Sequence, residues 1–316
     1  MLIHNPFDDI PVLAVLDPEE IAARLRTAGE AELGSRIAKK LAEPPSEAIS
    51  FALGSSKMWW WPFADRETSV WLHAAHVFGH ISPAPPGDGA LPIRPAGAVQ
   101  PDKSLKRDRI NIRLDRLRIK AYPGGGVHRV LLDFNAQNQV AGATEDLHFN
   151  ATFRVPEGEH AGVVGHPIFL GLNVGDEGVA FRCLTVNVKN DEDEALLGFL
   201  ESGPLQRGLE LAATAQPAIG PLSQLALALT KSLAKRHQNV PVQEFYLGLD
   251  FTDIPTGARL AEGSYVAVQV PDSSETVWDW SDWEYHRSKG QIVKKSDATK
   301  VIPYNYLVFG VSRANS

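Results

Sequence analysis

Cysteine is almost missing from this chain: Cys183 stands alone among 316 residues, so no intramolecular disulfide can form. Secreted chains of this size often carry several bridges, and a single thiol points to a reducing, cytoplasmic setting. The opening residues, MLIHNPFDDIPVLAV, lack a basic n-region, and Asp8 and Asp9 interrupt their apolar run, so no secretory signal is expected. Net positive charge is lacking too. With 31 Lys and Arg against 38 Asp and Glu, the formal charge is −7. That balance supplies no global field for nucleic acid or an anionic membrane, and nucleic acid is not expected as a partner.

Catalytic signatures are equally scarce. There is no GxSxG, P-loop or GxGxxG; Gly124–Gly126 are followed by Val-His-Arg and read as a turn. Ser232-Leu-Ala-Lys235 fits SxxK but has none of the companion motifs. Cys183 lies in the apolar run VAFRCLTVNV, where a thiol is buried and inert.

What is present is the composition of a soluble globular protein: 44% hydrophobic and 22% charged residues, with mean hydropathy −0.15. The length allows one large domain, or one with a smaller companion. Three regions are expected. Residues 1–81 form an N-terminal helical and Trp-rich segment, with a helix starting at the Asp17-Pro18-Glu19-Glu20 cap and running toward Leu41. Residues 82–104 carry six prolines and read as a linker. Residues 105–316 form a β-domain.

In RINIRLDRLRIKAY, Ile110, Ile112 and Leu114 share one parity, and Leu117, Ile119 and Ala121 take the other. A two-residue period with a phase slip predicts a strand bulged at Asp115-Arg116. PGGG (123–126) is expected to turn it back onto VHRVLLDFNA as a partner strand, and six further strand-like runs and a hairpin at Ser288-Lys289-Gly290 follow. The expected fold class is mainly β (α+β): an antiparallel β-sandwich with a helical insertion at 191–237. Asn190 and Asp191–Glu194 suit a helix start there. Leu222, Leu225, Leu229 and Leu233 fall in one narrow arc of an amphipathic helix.

Four features compete for function. His73, His76 and His80, on a helix, would converge as three nitrogens of an open zinc site able to make a hydroxide nucleophile. On a strand they separate and serve packing. Trp59, Trp60 and Trp61 are either a partner-binding surface or a core plug. WDWSDWEYH (278–286) is either a sugar platform or Ca²⁺ loop, or a plain aromatic hairpin. Leu211–Thr230 has no charged side chain, yet Pro217, Gly220 and Pro221 make it a poor constitutive membrane span. The basic run from Lys103 to Lys120 reads as a solvated face.

The leading expectation is a non-enzymatic cytosolic binding or effector module, engaging a protein or membrane partner through Trp59–Trp61 or the Leu222–Leu233 stripe. Two alternatives are a metal-dependent hydrolase using His73, His76 and His80, and a membrane-permeabilising protein using 204–236.

Overall fold

Apolar runs of alternating parity separated by Gly and Asp turns become strands, and fifteen of them are found among the described residues. The computed structural model describes residues 70–314, except 85–86, 88, 141–142, 190–196, 198–229, 231–232, 235–238, 253–256 and 276. In chain order the first strands are β1 Ala75–Ile81, β2 Ala90–Pro92, β3 Arg94–Pro95, β4 Arg109–Arg118, β5 Val127–Val140 and β6 Ala143–Pro156. Then come β7 His166–Asn173, β8 Gly178–Asn187, β9 Val240–Asp250, β10 Ala258–Arg259 and β11 Gly263–Val270. A one-turn helix α1, Asp272–Glu275, precedes β12 Trp283–His286, β13 Gln291–Lys294, β14 Asp297–Val301 and β15 Tyr306–Arg313.

The chain is mainly β. A six-stranded sheet has the order β3-β1-β11-β15-β4-β7, a five-stranded sheet β10-β9-β8-β5-β6, and a four-stranded sheet β14-β13-β12-β2. Every pairing is antiparallel except β9 with β10.

The six-stranded sheet has a core on each face. Toward the five-stranded sheet it presents Ile112, Leu114, Tyr265, Leu307 and Phe309, which join Phe134 and Phe181 in one cluster. The Phe134 and Phe309 rings, one from each sheet, lie 5.5 Å apart. Toward the four-stranded sheet it presents Val77, Val266, Val268 and Val308, packed with Trp280 and Ile292. This double burial explains why β11 reads GSYVAVQV instead of alternating apolar with polar: neither parity faces water.

The bulge falls where the phase slip places it. Val308 pairs with Arg116 and Phe309 with Leu114, leaving Asp115 as the extra residue. Ile110, Ile112 and Leu114 before it and Leu117 and Ile119 after it therefore all reach the same core.

Three expectations change. β4 and β5 do not pair with each other; β4 joins β15 and β7, while β5 joins β6 and β8. The PGGG turn carries the chain from one sheet to the other, because the two apolar faces gain more by facing each other than the strand edges gain by pairing. The 82–104 stretch is not a bare connector. Its Ala90–Pro92 pairs with β12 and its Arg94–Pro95 with β1. β1 itself, placed by sequence in the N-terminal segment 1–81, is a strand of the six-stranded sheet. The N-terminal helix lies outside the described residues. Of the insertion at 191–237 only Leu197, Thr230, Leu233 and Ala234 are described, each in helical conformation.

Candidate functional site: a basic cleft at a glycine turn

The three histidines of the first motif are not on a helix. His76 and His80 belong to β1, and His73 precedes it. Four residues of strand set His76 and His80 about 13 Å apart, too far to share an ion. Each ring instead packs on its own aromatic partner: His73 on Tyr304 at 5.8 Å, His76 on Phe245 at 5.2 Å and His80 on Tyr265 at 4.9 Å. Burial pushes the His76 imidazole down to about 4, against a smaller opposing effect of a hydrogen bond at Ala74. Such a ring stays neutral and fills space. Among the described residues no three His, Cys, Asp or Glu side chains gather to hold a metal.

Other expected sites disperse in the same way. Trp59, Trp60, Trp61, Leu222, Leu225 and Leu229 lie outside the described residues. Leu233 is fully buried, and its carbonyl accepts from Asn239 Nδ2 at 2.9 Å, so it does not face a partner. In WDWSDWEYH, Trp278 stacks on Trp283 at 5.8 Å. Asp279 accepts from the Ser281 amide at 2.8 Å, while Glu284 meets His286 at 3.0 Å, so these carboxylates are engaged separately. The basic run is likewise divided. Arg107 forks onto Asp176 at 2.8 and 3.0 Å, and Arg116 and Arg118 donate to backbone carbonyls. No helix among the described residues is long and apolar enough to cross a membrane.

A different set of residues does converge. The turn at 123–126, the start of β5, the end of β6 and the end of β8 enclose a cleft of about 450 Å³. The hairpin register places Arg129 on β5 directly opposite Arg154 on β6. Lys189, just past β8, closes another side: a Cβ at Gly124 would collide with its Nζ. Gly124 holds φ +103°, a backbone conformation that favours glycine. Gly125 and Gly126 also lie at positive φ.

The frame around these cations is pinned. Asn187 Nδ2 donates to the Pro123 carbonyl at 2.9 Å, and the Val188 amide donates to the Arg129 carbonyl at 2.8 Å. The Lys189 amide donates to Asn239 Oδ1 at 3.0 Å. His128 lines the same cleft although only 3% exposed, with its ring 5.6 Å from Tyr122. Tyr122 is itself fixed, sharing 2.8 Å with Thr185 Oγ1 and accepting from Gln243 Nε2 at 3.0 Å. His128 Nε2 is buried without a hydrogen-bond partner. Its imidazole is lowered, first by burial and further by the Lys189 charge, against opposing effects of Glu157 and a hydrogen bond with Asn187.

Chemically, the lining offers two guanidiniums, an ammonium and an imidazole. Among the described residues it contains no carboxylate, hydroxyl or thiol. The Glu157 carboxylate stands beside Gly125, its Oε2 3.4 Å from where a Cβ there would sit.

A second polar cluster lies on the outward face of the five-stranded sheet, and it is closed. Asp133 is fully buried and accepts from Asn135 Nδ2, from Asn150 Nδ2 at 2.5 Å and from Thr230 Oγ1 at 3.1 Å. His148 Nδ1 stands 3.6 Å from the same carboxylate. Burial alone would raise the Asp133 carboxyl; His148, the Arg182 charge and Asn150 outweigh it and hold it below the usual range. Arg182 in turn forks onto Glu244 Oε1 at 3.1 and 2.6 Å. The network ties Thr230 to the sheet.

Sequence reasoning missed Arg129, Arg154, Lys189 and His128 because they come from three separated stretches. The one available signal was the hairpin register, which would have set the two arginines face to face. Comparison of the chain with protein-family models, curated proteins and solved structures finds no match.

Proposed function

We propose that this protein is a non-enzymatic binding module that takes an anionic group of its partner into the cleft between Gly124 and Lys189. One observation carries the reading: Arg129 and Arg154 are directly opposed across β5 and β6, with Lys189 beside them. A bound phosphate, sulfate or carboxylate would gain charge-assisted hydrogen bonds from the guanidinium forks. In a chain of formal charge −7 the cleft is a local exception.

The rest of the reading follows from composition and pattern. The two larger sheets are taken as a β-sandwich carrying the helical insertion, and the protein as a cytoplasmic one whose partner is a protein or a membrane surface. Titration calorimetry with inorganic sulfate at low salt tests the anion site. Saturable binding that is lost in Arg129→Ala and Arg154→Ala supports it. Absence of saturable binding into the millimolar range overturns it. Cosedimentation with vesicles of neutral and anionic lipid then separates a membrane partner from a protein one.

A further inference from the structure

Resting on that reading, we propose that the anionic partner is a bilayer surface: Val127 and Pro156 dip into it while Arg129, Arg154 and Lys189 take lipid phosphates. The argument starts from strand parity. Val127 pairs with Pro156 across β5 and β6 as Arg129 pairs with Arg154, and all four side chains belong to one face of the sheet. Val127 is 67% exposed, and Pro156 and the glycines at 124–126 are exposed beside it. An apolar pair thus tips the two strand ends, and the arginines follow one strand step of about 7 Å behind. The headgroup layer has that depth. An apolar tip sunk about 5–10 Å reaches the acyl boundary and leaves the cations level with the phosphates. Farther along the same face Leu131 is fully buried, so the exposed patch is confined to the strand ends.

Neighbouring strands finish at the same surface. Asn187 of β8 pairs with Val240 of β9, and Gln269, near the end of β11, donates to the carbonyls of Val242 and His73. Leu72 and Val277, 55% and 77% exposed, lie just beyond these ends. Charge decides which side meets lipid. Asp272 and Glu275 precede Val277 and repel anionic headgroups, whereas the exposed Lys189 comes up against the Gly124 turn on the Val127 side. Glu157, which follows Pro156 and stands beside Gly125, opposes those cations. A soluble oxyanion uses the cations alone and gains nothing from an exposed valine; a membrane uses both.

Cosedimentation of the full-length protein with phosphatidylcholine vesicles, with and without about a third phosphatidylserine, tests the proposal. Binding is expected only where phosphatidylserine is present. It should weaken about fivefold in each of Arg129→Ala and Arg154→Ala, the worth of one cation at an anionic surface. At the exposed position 127, Val127→Ser should lose roughly fivefold and Val127→Leu should gain about threefold. Glu157→Gln should tighten binding. If sulfate saturates the cleft but the protein stays off phosphatidylserine vesicles, the bilayer proposal falls and the anion site stands. Vesicle binding indifferent to residue 127 or to both arginines overturns it too. Glycerophosphoserine or a serine phosphopeptide binding as tightly as the vesicles assigns the cleft to a soluble partner, with the same consequence. Absence of sulfate binding as well removes the reading beneath it.

Discussion

Arg129 and Arg154 stand directly opposite each other on neighbouring strands, two guanidiniums on one face of a hairpin. A sulfate held by both forks would stabilise the folded chain by mass action. Arg154→Ala should therefore abolish the rise in Tm that sulfate gives the unaltered protein. Thermal melts with and without sulfate check it. An equal rise in the variant would show that Arg154 takes no part in holding the anion.

Asp133 accepts hydrogen bonds from Asn135, Asn150 and Thr230 at a site with no solvent. Asp133→Ala strands those donors and the His148 ring beside them. The expected loss is about 3–5 kcal/mol, as for breaking a buried polar or ionic network. Urea unfolding should show it as a lower midpoint, and Asp133→Asn should fall between the two.

Acid should weaken the fold in two stages. His76 and His160 are both held down to about 4: His76 chiefly by burial, His160 by burial and by the Arg118 and Arg116 charges. The unfolded chain then binds protons that the native one refuses. Their stabilisation is complete above about pH 6.5 and is lost as pH falls toward 4, amounting to roughly 3 kcal/mol for His76. Asp133, whose carboxyl is lowered, gives up its share only below the ordinary carboxylate range. Urea midpoints at pH 7, 6 and 5 should therefore decline, and His76→Leu should flatten the slope. An unchanged midpoint over that window would contradict the assignment.

Cys183 is fully buried and its thiol is pushed up, by burial first and by the Asp133 charge second. Thiol reagents should label it only after denaturation. Labelling of native protein at the rate of a free thiol would place Cys183 at the surface.

Deleting Asp115 removes the extra residue of the bulge. Leu117 and Ile119 would then swap faces relative to Ile112, and two fully buried side chains would leave the core. The expected outcome is insoluble or unfolded protein, whereas Asp115→Ala keeps the register and should remain soluble.

Much of the strand layout was legible because parity is local: the Asp115 slip, the β12–β13 hairpin and the runs that became β6 to β9, β11 and β15 can each be read within about ten residues. Sheet membership was not. Whether β4 pairs with β5 or faces it depends on which burial is larger, and that is decided by β15 and β8, far away in sequence. The histidine motif failed for a related reason. HxxHxxxH fits a helix and a strand about equally well, and β11, nearly two hundred residues later, makes it a strand. The cleft was hidden more thoroughly, since Arg129, Arg154 and Lys189 acquire meaning only once the hairpin register and the end of β8 are fixed in space.

The strand order of the largest sheet also bears on biosynthesis. β11 lies between β1, the earliest strand described, and β15, the last. Until the ribosome has made residues 306–313, β11 and β4 each keep an open edge, and the Tyr265 ring lacks the Phe309 ring that stacks on it at 5.7 Å. The nascent polypeptide must therefore wait, sticky and incomplete, for β15, and it is in that interval that a chaperone would have most to do.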